Sequence, residues 1–182
     1  MIRVSSTRLR AGERSLLRHF SYYVLRRFVK PSVIAKTNIL INISTTEELS
    51  EKEDRLDLTE YGAWTTYDGI ENDKKKFTII LNAYHYNARA NKPWVRLKQT
   101  MVDLGHELIH IKQYLNNEMF DYVSGDVRFK GTVFDSRHVE ETEAYYNSPW
   151  EIEAYGREWG LMKMFTNKLK ADIKAKKSEI SH

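Results

Sequence analysis

Hydrophobic positions change period several times along this chain, and each change predicts an element. From Leu9, apolar residues recur at Leu16, Leu17, Phe20, Val24 and Phe28. Steps of three, four and seven put them on one stripe of an α-helix, so residues 1–30 read as an N-terminal amphipathic helix. After Pro31 the period drops to two. In T-N-I-L-I-N-I-S, Ile39, Ile41 and Ile43 alternate with less apolar neighbours, the pattern of a half-buried strand. Residues 47–58 are a charged connection. Y-G-A-W-T-T-Y (61–67) predicts a second strand, D-G-I-E-N-D-K-K-K a turn with solvated charges, and K-F-T-I-I-L-N-A (76–83) a third strand.

The helical period then returns. Leu104, Leu108, Ile111 and Leu115 follow steps of four, three and four, which predicts a helix starting between Arg96 and Thr100 and ending around Asn116 and Asn117. Gly105 sits inside it at a cost of about 1 kcal/mol against alanine, a place where another backbone or a ligand can come close. V-R-F-K-G-T-V-F (127–134) predicts a small hairpin around Lys130 and Gly131. Residues 148–170 form the last long helix, with Ser148 as N-cap and Pro149 in its first turn. The order is helix, three strands, helix, irregular insert, helix. That is an α+β chain, and with no repeat or linker in its 182 residues it reads as one domain.

The second helix carries the chemistry. H-E-L-I-H spans positions 106 to 110. Residues four apart sit one turn apart on the same helix face, so His106 and His110 can aim imidazole nitrogens at one ion. Glu107 borders that ion without having to bind it. This is the arrangement of a zinc site in which a carboxylate serves as general base. The plainer alternative is a surface helix with two solvated histidines and an acid. Leu108 and Ile109, between the histidines, argue for a buried helix, where an unpartnered His-Glu-His cluster would carry a desolvation penalty.

Catalytic zinc commonly takes three protein ligands and a water. No histidine follows His110 at short spacing: the next residues are I-K-Q-Y-L-N, and the others are His19, His85, His138 and His182. The better source is S-P-W-E-I-E-A-Y-G-R-E-W-G-L-M, from position 148. Glu151 shares a largely apolar helix face with Ala154, Tyr155, Glu158, Met162 and Phe165, and so turns inward. Glu153 lies on a face with Gly156, Arg157 and Gly160, small enough on that side for close helix packing. Facing favours Glu151 over Glu153 as third ligand; the plainer alternative is that both only stabilise the helix start through its dipole.

H-E-L-I-H, followed by E-I-E-A from Glu151, resembles the gluzincin branch of zinc metallopeptidases, which carry H-E-x-x-H on one helix and a glutamate ligand on a later one. The longer stretches H-E-L-I-H-I-K-Q-Y and P-W-E-I-E-A-Y-G-R-E are similar to small peptidase-like proteins, many of them encoded by bacteriophages. The resemblance covers residues 102–162. It implies a small zincin-like domain and Zn²⁺ held by His106, His110 and Glu151. It implies peptide-bond hydrolysis with Glu107 as general base, on a peptide or protein substrate. It also implies that an edge strand before the metal helix, here residues 77–84, pairs with the substrate backbone. Many members follow the glutamate with an Asp or Asn that orients a histidine; Tyr155 stands there in this chain. Tyr145, Tyr146, Tyr155 and His138 lie in the stretch that would supply a transition-state donor, and the sequence does not choose among them.

Composition narrows the setting. There are no cysteines, which excludes disulfides and thiolate-bound zinc and suits a reducing compartment. The expected location is cytoplasmic, the host cytoplasm for a phage-encoded chain. No apolar run approaches the roughly 20 residues of a membrane span, and no signal-peptide core is seen near the start. The net charge of +4 is uneven: residues 1–30 hold Arg3, Arg8, Arg10, Arg14, Arg18, Arg26, Arg27 and Lys30 against Glu13 alone. That stretch can contact nucleic acid or an anionic surface, or be a packed helix with a solvated basic face. Residues 168–182 form a basic C-terminal tail. The second function class to set beside the enzyme is therefore a catalytically silent or regulatory peptidase-fold module. Its basic first helix would recruit it to nucleic acid or a protein partner. The intact H-E-x-x-H counts against the silent version, which has no chemical need for Glu107.

Overall fold

A computed structural model describes residues 1–6, 8–44, 62–82, 92–135 and 142–180. Among them the chain is mixed α+β, with five helices, a mixed four-stranded sheet and a smaller three-stranded one. The connection at 47–58, the ends of the second and third predicted strands at 61 and 83, and His85, His138 and His182 lie outside the described residues.

Residues 1–30 are not one helix: Ile2–Ser5 is a strand, β1, and helix α1 spans Ala11–Phe28. Ile2 and Val4 alternate with Arg3 and Ser5, a period of two that the following helical stripe masked. α1 buries Leu17, Phe20, Val24 and Leu25, close to the predicted stripe. A short helix, α2 (Pro31–Ala35), leads into β2 (Thr37–Ser44), where Ile39, Ile41 and Ile43 are buried as the alternation requires.

The charged stretch after position 67 is not a long turn. β3 (Ala63–Glu71) and β4 (Lys74–Asn82) run through it and meet at Asn72 and Asp73. Both residues have positive φ, 50° and 58°, the backbone of a tight two-residue hairpin that Asn and Asp tolerate. The lysines and acids on either side are the solvated ends of strands. A bulge between Tyr67 and Ile70 includes Gly69 at φ 89°, a value that glycine takes without strain.

The sheet order is β1-β2-β4-β3, with β1 and β4 parallel to β2 and β3 antiparallel to β4. Four strands replace the predicted three. β4 is internal, paired on both sides, so it is not the free edge expected of residues 77–84. The edge strand nearest the later helices is β3.

Helix α3 spans Pro93–Leu115, starting about one turn earlier than its hydrophobic stripe suggested because Pro93 occupies its first turn. It packs on β3, β4, α1 and the last helix. Enclosed on all these sides, it is buried almost all round from Leu104 to Gln113, His106, Glu107 and His110 included. β5 (Met119–Asp121), β6 (Val127–Phe129) and β7 (Thr132–Phe134) follow, with the hairpin turning at Lys130 and Gly131 as expected. After a short helix, α4 (Thr142–Tyr146), comes α5 (Pro149–Ile180). Gly105 marks where the helices crowd. A Cβ there would lie 3.4 Å from the Phe20 ring and 3.6 Å from the Glu158 carbonyl oxygen, so the close neighbours are α1 and α5. Among the described residues, no helix is long and apolar enough to cross a membrane.

Candidate metal centre

The α3–α5 seam holds the polar cluster. The one-turn spacing of His106 and His110 brings their Nε2 atoms to 3.1 Å of each other. α5 delivers Glu151 from the opposite side, with Oε2 3.1 Å from His106 Nε2 and Oε1 3.2 Å from His110 Nε2. Glu151 is 2% exposed. Its place is set by its neighbour Trp150, buried against Phe129 and Phe134 of the small sheet, with ring centroids 6.1 and 5.4 Å away. The hairpin thus anchors the start of α5.

The remaining ring nitrogens have partners as well. His106 Nδ1 is 3.1 Å from Glu158 Oε2, and His110 Nδ1 is 3.0 Å from Gln113 Oε1. The Gln113 amide nitrogen donates to the Trp150 carbonyl at 3.0 Å, which leaves its oxygen to accept. His110 must therefore carry a proton on Nδ1, and in its neutral form Nε2 is a free lone pair. The Glu158 carboxylate imposes the same tautomer on His106. Both Nε2 atoms face the Glu151 oxygens, donating to them when the rings are protonated and offering lone pairs to a metal when they are not.

Two imidazole nitrogens and a carboxylate form a donor set suited to zinc. Donors about 2.0–2.1 Å from a tetrahedral ion stand roughly 3.3 Å apart, close to the separations here. The three donor atoms all lie within 4.8 Å of one another.

Electrostatics agree with a cation-seeking site. Burial disfavours the imidazolium of His106, yet the Glu151 and Glu158 carboxylates, with the Glu107 charge, outweigh it and push its pKa up to about 10. His110 is buried too and is raised by Glu151 and Glu107. Burial works against the Glu151 carboxylate, but its hydrogen bonds to both histidines bring it down to about 2. Burial raises Glu107, against the pull of His110 and His106. Without an ion, protons hold this cluster together.

Glu107 lies beside the histidines and accepts a 2.7 Å hydrogen bond from the Thr65 hydroxyl of β3. The edge strand therefore fixes the orientation of the expected general base. Glu153 is elsewhere. It accepts from Lys112 at 2.8 Å and pairs with Lys130 and Arg157 at 3.3 and 3.2 Å. These cations, not the histidines, hold it.

Among the named donors, Tyr145 hydrogen-bonds Glu151, and burial, then that carboxylate, raises its pKa. Tyr155 lays its ring edge-on against His106 at 4.5 Å between centroids, and Tyr146 packs on Tyr155 at 5.9 Å. Glu158, Gln113 and Thr65 join the site without being marked by the H-E-x-x-H pattern. Glu158 shares the Glu151 helix face two turns on, and Gln113 is three residues from His110, so both spacings were visible. Thr65 gives no local signal, because its contact crosses from strand to helix.

No family model matches the chain, and no curated protein and no solved structure is significantly similar to it.

Proposed function

We propose that this protein is a metal-dependent peptidase of the gluzincin kind, with a zincin-like fold, holding Zn²⁺ through His106, His110 and Glu151. One observation supports the reading: two imidazole Nε2 atoms and a buried carboxylate converge within 4.8 Å, with a second carboxylate, Glu107, alongside.

A zinc ion bound there would polarise a carbonyl and lower the pKa of water toward 7. The chain's residues do the rest. Glu107, steered by Thr65, takes the proton from the attacking water and returns it to the leaving amine. Its buried position favours proton uptake. Glu158 and Gln113 hold the histidine rings in the tautomer that leaves Nε2 free. Tyr145, already at Glu151, is the donor best placed to steady the developing oxyanion. β3 carries Thr65 and has a free edge among the described residues, so an extended substrate adds along β3 and not along β4.

Elemental analysis of the purified protein tests the ligands. Near-stoichiometric zinc is expected in wild type and in Glu153→Ala, and loss in His106→Ala, His110→Ala and Glu151→Ala. A peptide library then tests the reaction: Glu107→Gln should keep its zinc and lose about 10²- to 10⁴-fold in rate. Zinc retained without cleavage of any peptide by wild type would sink the peptidase reading and leave a metal-binding module.

A further inference from the structure

A groove of about 650 Å³ lies at the opposite edge of the sheet, between β1 and α1. Its helix wall is one stripe, with Arg14, Ser15, Arg18, His19 and Tyr22 at steps of three and four. Its strand wall runs from Ile2 to Val4. From position 11 to position 22 the helix wall is roughly 16 Å long at 1.5 Å per residue. That is the length of about five residues of extended chain.

The strand wall is a backbone template. The Ile39 N–H donates to the Met1 carbonyl at 2.9 Å, and β1 pairs with β2 in the register Ile2 with Ile39. Backbone groups of successive strand residues point in alternate directions, so those of Ile2 and Val4 point away from β2. Among the described residues no strand pairs with them. The groove also carries one sign of charge. Arg3, Arg18 and His19 are exposed, no Asp or Glu lines it, and neither Arg3 nor Arg18 has an ion pair among the described residues. Arg14 stiffens the floor by donating to the Ser6 carbonyl at 3.1 Å.

We infer that this groove docks an extended acidic segment of another polypeptide, which adds to β1 as a further strand. The N–H and C=O groups of Ile2 and Val4, which pair with no other strand among the described residues, match a peptide backbone, and a phosphodiester chain has no such alternation of donors and acceptors. Asp or Glu side chains on the incoming strand meet Arg3, Arg18 and His19. A second copy of β1 is a poor occupant, since each copy would bring its own Arg3 to the seam. The site stands apart from the α3–α5 cluster and does not depend on the metal reading.

Fluorescence anisotropy on the full chain tests this with a labelled decapeptide of alternating Glu and Thr. Two comparison probes are the Lys-Thr counterpart and a single-stranded oligonucleotide. The acidic peptide should bind and the basic one should not. The double variant Arg3→Glu, Arg18→Glu should weaken binding at least tenfold. N-methylating the acidic peptide at alternate residues, in both registers, should weaken it at least tenfold in one register, against unaltered protein. The proposal is overturned if the acidic peptide does not bind. It is overturned equally if methylation in neither register matters, or if the oligonucleotide binds more tightly than the peptide.

Discussion

Helices α3 and α5 form two polar clusters side by side, with Lys112 two residues past His110 and Glu153 two past Glu151, and the two behave as opposites. In one, Lys112 donates to Glu118 at 2.6 Å and to Glu153 at 2.8 Å, with Lys130 and Arg157 closing on the same glutamate. Every acid there has a resident cation. In the other, Glu151 and Glu158 face two histidines, and among the described residues no lysine or arginine takes part. A buried carboxylate needs a partner in either case. The chain supplies a permanent cation to Glu153 and only titratable rings to Glu151, and rings can exchange their protons for a metal. Acidity and burial alone do not mark a site; the nature of the countercharge does.

The sharpest way to separate the clusters is pH. In the metal-free protein, His106 is raised from 6.5 to about 10. Its contribution to stability is complete below pH 6.5 and is lost as pH climbs toward 10. Glu151 is lowered to about 2, and its contribution, present above pH 4.5, is lost as pH falls toward 2. Zinc bound at the proposed site would have to displace the His106 proton, so its apparent affinity should rise about tenfold per pH unit below 10 from this group alone, some 10³-fold from pH 6 to 9. Competition titrations against a chelator check it; a flat profile would remove the histidines from the metal's coordination.

Lys112→Met breaks the other cluster. It should cost roughly 3 kcal/mol of folding stability in denaturant unfolding while leaving zinc content unchanged. Loss of zinc with little loss of stability would reverse the two roles. Glu158→Ala removes the partner of His106 Nδ1 and should weaken zinc binding by about 10- to 100-fold without abolishing it. The smallest effect is expected at the seam between helices. A Cβ at Gly105 meets Phe20 and Glu158 at ordinary contact distance, so Gly105→Ala should be tolerated, with up to about 1 kcal/mol gained from helix propensity. Thermal melts decide this, and a large loss there would show the seam to be tighter than its distances.

Much of the site could be read along the chain because helical spacing is a local property. His106 and His110 are four apart, and Glu151 faces inward because its neighbours at positions 154, 158 and 162 do. The same arithmetic reaches Glu158 and Gln113. Elsewhere local reading failed for physical reasons. β1 is four residues long, too short for its alternation to stand out before a basic helix. The hairpin at Asn72 and Asp73 was hidden because strand ends and loops share charged residues. The pattern of residues 77–84 does not show β4 to be internal, because the pairing on its far side comes from β2, which no window around those residues contains.

The sequence by itself determined the elements that carry the chemistry and the side chains presented on one turn of α3 and one face of α5, since periodicity requires only neighbours. Tertiary structure alone decided which glutamate meets which cation. Glu151 and Glu153 are separated by one residue and about 200° of helix rotation. Only the way α5 lies against α3 sends one to a pair of histidines and the other to Lys112.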